Sequence, residues 1–149
     1  MNYTKAYFWG ALLAVGLTLN GCNFGKNTHD VTTLAGELSG MNEVPAIKSQ
    51  ASGSVLTNLD YETNKFSWKI IYRGLSGPVI AAHFHGPAKI GENAAPVIAI
   101  SGSLASPISG SSILTKEQVA ELGNGQWYVN LHTNINPNGE IRAQLVNQR

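Results

Sequence analysis

The chain has 149 residues, a formal net charge of +1, only 13% charged residues and a single cysteine. That length suits one domain with a real core. The absence of any basic run or aromatic-basic interleaving argues against a nucleic-acid partner, and one cysteine leaves no intramolecular disulfide.

Residues 1–21 read as a processing segment. Lys5 gives a short basic start, and Ala6 to Leu19, AYFWGALLAVGLTL, is apolar but too short to span a membrane comfortably, as in a signal h-region. Leu19-Asn20-Gly21-Cys22 follows and resembles the bacterial lipobox, in which a small residue precedes a cysteine that is lipidated on sulfur and becomes the new N-terminus. Asn20 is a less usual occupant of its position. The resemblance implies a palmitate-bearing lipoprotein on the bacterial cell envelope, and lipid on Cys22 accounts for a lone cysteine in an exported chain. Asn23 carries no acidic retention signal, which favours the outer membrane, facing the periplasm or the surface. An ordinary signal peptide ending near a cysteine is the alternative. Residues 22–31 then form the lipidated N-terminus and a polar tether, with His29 solvated, and residues 32–149 form the domain.

From Thr32 onward short runs alternate with turn chemistry, an all-β plan. Strands are expected at Thr33 to Ser39, Ser52 to Leu59, Lys65 to Tyr72, Val79 to His85, Pro96 to Ser101, Gln126 to His132 and Gly139 to Val146. The clearest period-two signal places Phe66, Trp68, Ile70 and Tyr72 on one face, towards the core. Gly102 to Ser112 is Ser- and Gly-rich and resists assignment. Lys116 to Leu122 is a short helix with Thr115 as its N-cap. Asn138-Gly139 suits the positive φ of a turn before the last strand. Seven or eight antiparallel strands with short connections suggest a Greek-key, immunoglobulin-like sandwich.

Residues 81–87 read AAHFHGP. Alternation sends His83 and His85 to one face and Phe84 to the other. If Phe84 enters the core, both imidazoles face outward. The same logic on the later strand turns Val129 and Leu131 inward and Tyr128, Asn130 and His132 outward. Both strands end just before a Gly-Pro or Asn-Pro loop, which predicts that the three histidines converge at one end. Three imidazoles with an open position can hold copper, or less readily zinc. The competing reading is a solvated sheet face that merely tolerates histidine.

LSGMNEVP, GLSGP, AAHFHGPA, APV and GQWYVNLHTNINPNGEIRAQL together resemble the CHRD family, named after the repeated domain of chordin. The likeness covers about Thr32 to Val146. It implies an all-β extracytoplasmic domain, with family positions at Glu43, Val44, Pro45, His83, His85, Gly86, Pro87, Asn130, His132, Thr133, Asn136, Pro137, Gly139, Glu140 and Arg142. It implies no settled activity. Several of these positions have a simpler explanation as turn residues, and Glu43 can cap a loop or pair with Arg142.

A more distant likeness is to the copper-zinc superoxide dismutase sandwich, which also carries copper on an H-x-H strand. It implies ligand roles for His83, His85 and His132, with Arg142 attracting an anion. The loop GPAKIGENAAP offers only Glu92 as a strong ligand, so the zinc half of that pattern is missing. Met41 can add a soft ligand if its loop folds over the histidines, and Asn130 and Glu43 can support them.

Three functions follow. The first is an envelope binding module that holds copper, or a protein partner, through the histidine end. The second is a dismutase-like copper oxidoreductase. The third is a structural or adhesive interaction domain without metal. No nucleophile-base pair or phosphate loop points to other catalysis.

Overall fold

The structure, a computed structural model, describes residues 30–148. The signal segment, Cys22 and His29 lie outside the described residues. Among the described residues, nine strands and one α-helix follow in order: β1 (Val31–Ser39), β2 (Ser52–Asp60), β3 (Lys65–Arg73), β4 (Val79–His85), β5 (Pro96–Ala99), β6 (Ile108–Ile113), α1 (Lys116–Gly123), β7 (Tyr128–Thr133), β8 (Ile141–Gln144) and β9 (Val146–Asn147). A 3-10 turn, Gly40–Asn42, follows β1. Val31, which the sequence reading places in the tether, lies in β1 and pairs with Asp60.

The strands form one antiparallel sheet in the order β5-β4-β7-β8-β1-β2-β3-β6, with β9 beside β1. The sheet curls so that the two halves of this order face each other, a sandwich-like all-β fold. Aromatic rings fill the seam: Phe66 lies edge-on to Phe84 at 5.0 Å and to Trp127 at 6.0 Å, and Trp68 meets Phe84 at 5.1 Å. Such edge-to-face pairs add about 0.5–1.5 kcal/mol each beyond their burial.

Alternation builds this core. In β3, Phe66, Trp68 and Ile70 are buried while Lys65, Lys69 and Ile71 are exposed. In β2, Val55, Thr57 and Leu59 are buried, and the Thr57 hydroxyl donates to Leu34 O at 3.0 Å, which satisfies the one polar group on that face. Helix α1 starts on a capping box, with Thr115 accepting from Gln118 N and the Gln118 side chain accepting from Thr115 N. The unassigned Ser/Gly segment contains β6, which pairs with β3. Its Gly110 lies against the Trp68 indole, where a Cβ would clash.

The last strand is split. Leu145 N donates to Trp127 O at 2.9 Å, and the next residue, Val146, pairs instead with Ala35 of β1. Changing partner breaks the expected continuous run at Leu145.

The outer side of β4 and β7 departs from expectation. All six residues of β7 are buried, including those expected to face water. Loops cover them: Asn93 and Ala94 of the β4–β5 connection, Glu43 to Pro45 after the 3-10 turn, and Asn138 of the β7–β8 turn line a recess with His85, Tyr128, Asn130 and His132. The Asn93 amide donates to Val44 O at 2.9 Å and ties two of these loops together.

A candidate metal centre under three loops

Register, rather than shared strand ends, assembles the histidines. Strands β4 and β7 are antiparallel neighbours, so their ends lie at opposite limits of the pair. His83 sits opposite Asn130, His85 opposite Tyr128, and His132 opposite Ala81, beside an irregularity between Val79 and Ala81. One ligand atom from each of His83, His85 and His132 lies within 4.8 Å of the others. His83 is half-buried, whereas His85 and His132 are 7% and 8% exposed.

The hydrogen bonds fix the tautomers. His85 Nδ1–H donates to Ala94 O at 3.0 Å, and His132 Nδ1–H donates to Pro137 O at 3.0 Å. A carbonyl can only accept, so in both neutral rings the lone pair is left on Nε2. Both Nε2 atoms point at Asn130 Oδ1, from 3.0 Å for His85 and 2.9 Å for His132. His83 Nδ1 is 3.1 Å from His132 Nε2, to which it donates when its own proton is on Nδ1.

The surroundings of His83 and His85 favour their neutral imidazoles. Burial first, then the neighbouring imidazoles His132 and His85, push the His83 pKa down. His85 is lowered by burial, against hydrogen bonds with Ala94 and Asn130 that favour its charged form, with His132 and Arg142 adding to the lowering. Uncharged imidazole is the form that binds a metal.

Tyr128 and Arg142 back the site. The Tyr128 ring stacks on His85 at 4.7 Å and 2°. The Arg142 guanidinium lies 3.4 Å over the centre of the Tyr128 ring. Arg142 Nη1 donates to Asn93 Oδ1 at 3.1 Å and Nη2 to Glu92 O at 2.7 Å, so the arginine holds the β4–β5 loop over the stack. At 2% exposure, Arg142 supports Tyr128 from within the protein rather than facing solvent as an anion guide. Glu92 contributes its backbone carbonyl to Arg142, while its carboxylate accepts from Lys89 N.

Glu43 is buried close to the site, with Oε1 unpaired and its pKa raised to about 7. Burial raises it against the lowering effects of the Arg142 charge and the Asn130 side chain. Gly139, at φ +125°, leaves the space that Glu43 Oε1 and Asn130 Nδ2 occupy, where a Cβ would clash. Met41 is elsewhere: it is 70% exposed and lines a groove with Ile90 and Val146. It does not join the histidines.

Glu140 organises the adjoining end. Its carboxylate accepts from Ser49 Oγ, Ser76 N, Ser76 Oγ and Thr133 Oγ1. Burial opposes its charge, yet the bonds from Ser76, Thr133 and Ser49 outweigh burial and lower its pKa to about 2. Asn136 joins this group through its amide donation to Ser76 Oγ at 3.3 Å.

The sequence matches the CHRD domain family over residues 34–145. This chain belongs to the CHRD domain family. Comparison with curated proteins and with solved structures found no match. The match spans both halves of the sheet, so the histidine cluster is part of the CHRD domain itself.

Alternation alone identified His83, His85 and His132 as sharing a side of the sheet. It missed the partners that orient them: Ala94 O, Pro137 O and the Tyr128 ring. Tyr128 carried a signal, being two residues from Asn130 on the same face, but a tyrosine on a strand has too many uses for that spacing to specify one.

Proposed function

We propose that this CHRD domain is a metal-binding module of the bacterial envelope that holds a transition-metal ion, copper ahead of zinc, on His83, His85 and His132. The observation that carries this reading is the orientation of the two buried rings: each donates Nδ1–H to a backbone carbonyl, which leaves Nε2 as the free donor. That is the usual way in which protein ligands present imidazole to a metal. Copper is placed ahead of zinc because nitrogen sites bind Cu²⁺ most tightly among the divalent first-row ions. Bound metal would supply a strong local positive charge beneath the covering loops. Ala94, Pro137 and Tyr128 would orient the imidazoles.

Membrane attachment through lipid on Cys22 would keep the module at the outer membrane. The apolar segment before Leu19-Asn20-Gly21-Cys22 and the lone cysteine support that part of the reading.

The test is copper and zinc titration of the detergent-solubilised full chain beside a variant carrying His83→Ala, His85→Ala and His132→Ala, with folding of both checked by circular dichroism. Stoichiometric binding that the folded variant lacks supports the proposal; equal binding by both overturns it. Cys22→Ala should release the chain from membranes and abolish incorporation of labelled palmitate. Unchanged incorporation would sink the anchoring role of Cys22.

A further inference from the structure

Asn130 makes an unusual pair of contacts. Its Oδ1, which can only accept, lies 3.0 Å from His85 Nε2 and 2.9 Å from His132 Nε2. Both rings already have their Nδ1 proton directed to a carbonyl. With the amide turned so that Nδ2 lies beside Glu43, the Oδ1 lone pairs meet those of both Nε2 atoms in the neutral rings, and the proton within reach is that of His83 Nδ1, directed to His132 Nε2 rather than to Oδ1.

A metal cation removes the conflict, since it is attracted to every one of these electron pairs.

The spacing agrees. A tetrahedral centre with metal–ligand bonds of about 2.0–2.1 Å has donor–donor edges of about 3.3 Å. Three edges here run in sequence: His83 Nδ1 to His132 Nε2 at 3.1 Å, His132 Nε2 to Asn130 Oδ1 at 2.9 Å, and Asn130 Oδ1 to His85 Nε2 at 3.0 Å. Each is within a few tenths of an ångström of the ideal, and the histidine ligand atoms as a set, which lie within 4.8 Å of one another, would draw closer on binding.

Building on the three-histidine reading above, we infer that Asn130 is a fourth ligand, whose Oδ1 completes a three-nitrogen, one-oxygen set for a divalent copper or zinc ion. The position opposite His83 in the strand register delivers the amide to the cluster. Gly139 makes room for its Nδ2 on the far side, next to Glu43 Oε1. The oxygen matters for selectivity. It is a harder donor than the thiolate or thioether of a cuprous site, and Met41, the nearest candidate for softness by sequence, is turned to another groove.

The full chain, its Asn130→Ala variant and its Asn130→Asp variant would be titrated with Cu(II) against a competing chelator, and the loaded proteins compared by electron paramagnetic resonance. Asn130→Ala should weaken binding at least about tenfold and alter the copper signal, while Asn130→Asp, which keeps an oxygen at the same reach, should restore both. Thermal melting of the metal-free variants separates ligand loss from misfolding. Wild-type affinity and an unchanged signal in folded Asn130→Ala would overturn the role of Asn130 and leave the histidine site standing. Failure of the wild-type chain to bind copper or zinc would overturn both.

Discussion

Arg142 lies 3.4 Å above the Tyr128 ring, and that ring lies flat on His85. A charged side chain from β8 thus reaches the histidine of β4 through an aromatic plate on β7. The guanidinium can do this because it is planar, stacks well and still has donors left for Asn93 and Glu92 at its edge.

Arg142→Lys is therefore not a conservative change. An ammonium cannot reproduce the stacked plane and both edge bonds, and the loss should destabilise the domain by about 2–4 kcal/mol. Urea unfolding measures this. Limited proteolysis should show new cleavage in the loop between β4 and β5, whose Asn93 and Glu92 lose their donor. A stability within about 0.5 kcal/mol of wild type would refute the clamp.

Glu43 makes stability fall as pH rises. Its pKa is raised from 4.5 to about 7 in the folded domain. Below pH 4.5 the carboxyl is protonated in both states and no penalty exists. Between 4.5 and about 7 the unfolded chain ionises first, so folding stability declines, by on the order of 3 kcal/mol in total. Glu43→Gln should remove that slope in the metal-free protein and be more stable than wild type at pH 8. Chemical unfolding across this range checks it, and a parallel pH dependence in the variant would contradict the assignment.

Glu140 has the opposite sign. Its folded pKa, lowered to about 2, gives stability that is complete above pH 4.5 and disappears as pH falls towards 2. Glu140→Gln keeps the size but loses the charge that Ser49, Ser76 and Thr133 address. It should cost at least about 2 kcal/mol at neutral pH and flatten the acid limb of the stability curve. An acid limb equal to that of wild type would show that the carboxylate does not set it.

Much of this architecture could be read along the chain, and the exceptions share a cause. Phe66, Trp68 and Ile70 announced β3 because one of its faces is core and the other is wet. Thr115 and Gln118 marked the start of α1 for an equally local reason. Strand β7 misled because alternation reports only which residues share a face. It cannot show that a loop covers the second face, and here Asn93, Ala94 and Val44 do so with no periodicity of their own. Strand β6 went unassigned because its ISGSSI sequence buries only Ile108 deeply and makes room for Trp68 with Gly110. The grouping of His83, His85 and His132 was legible from their faces. Their approach to within bonding range depended on the antiparallel register between two strands separated by more than forty residues, which no local pattern encodes.

The sheet begins at β5 and ends at β6, and neither strand is a good template for another chain. Strand β5 is only four residues long and starts with Pro96, which has no N–H to offer. Strand β6 presents a run of glycine and serine, which gives a neighbouring backbone little apolar surface to grip. Short edges, proline and polar side chains are devices that oppose edge-to-edge zippering. Crowded copies of the domain can therefore lie side by side without fusing their sheets.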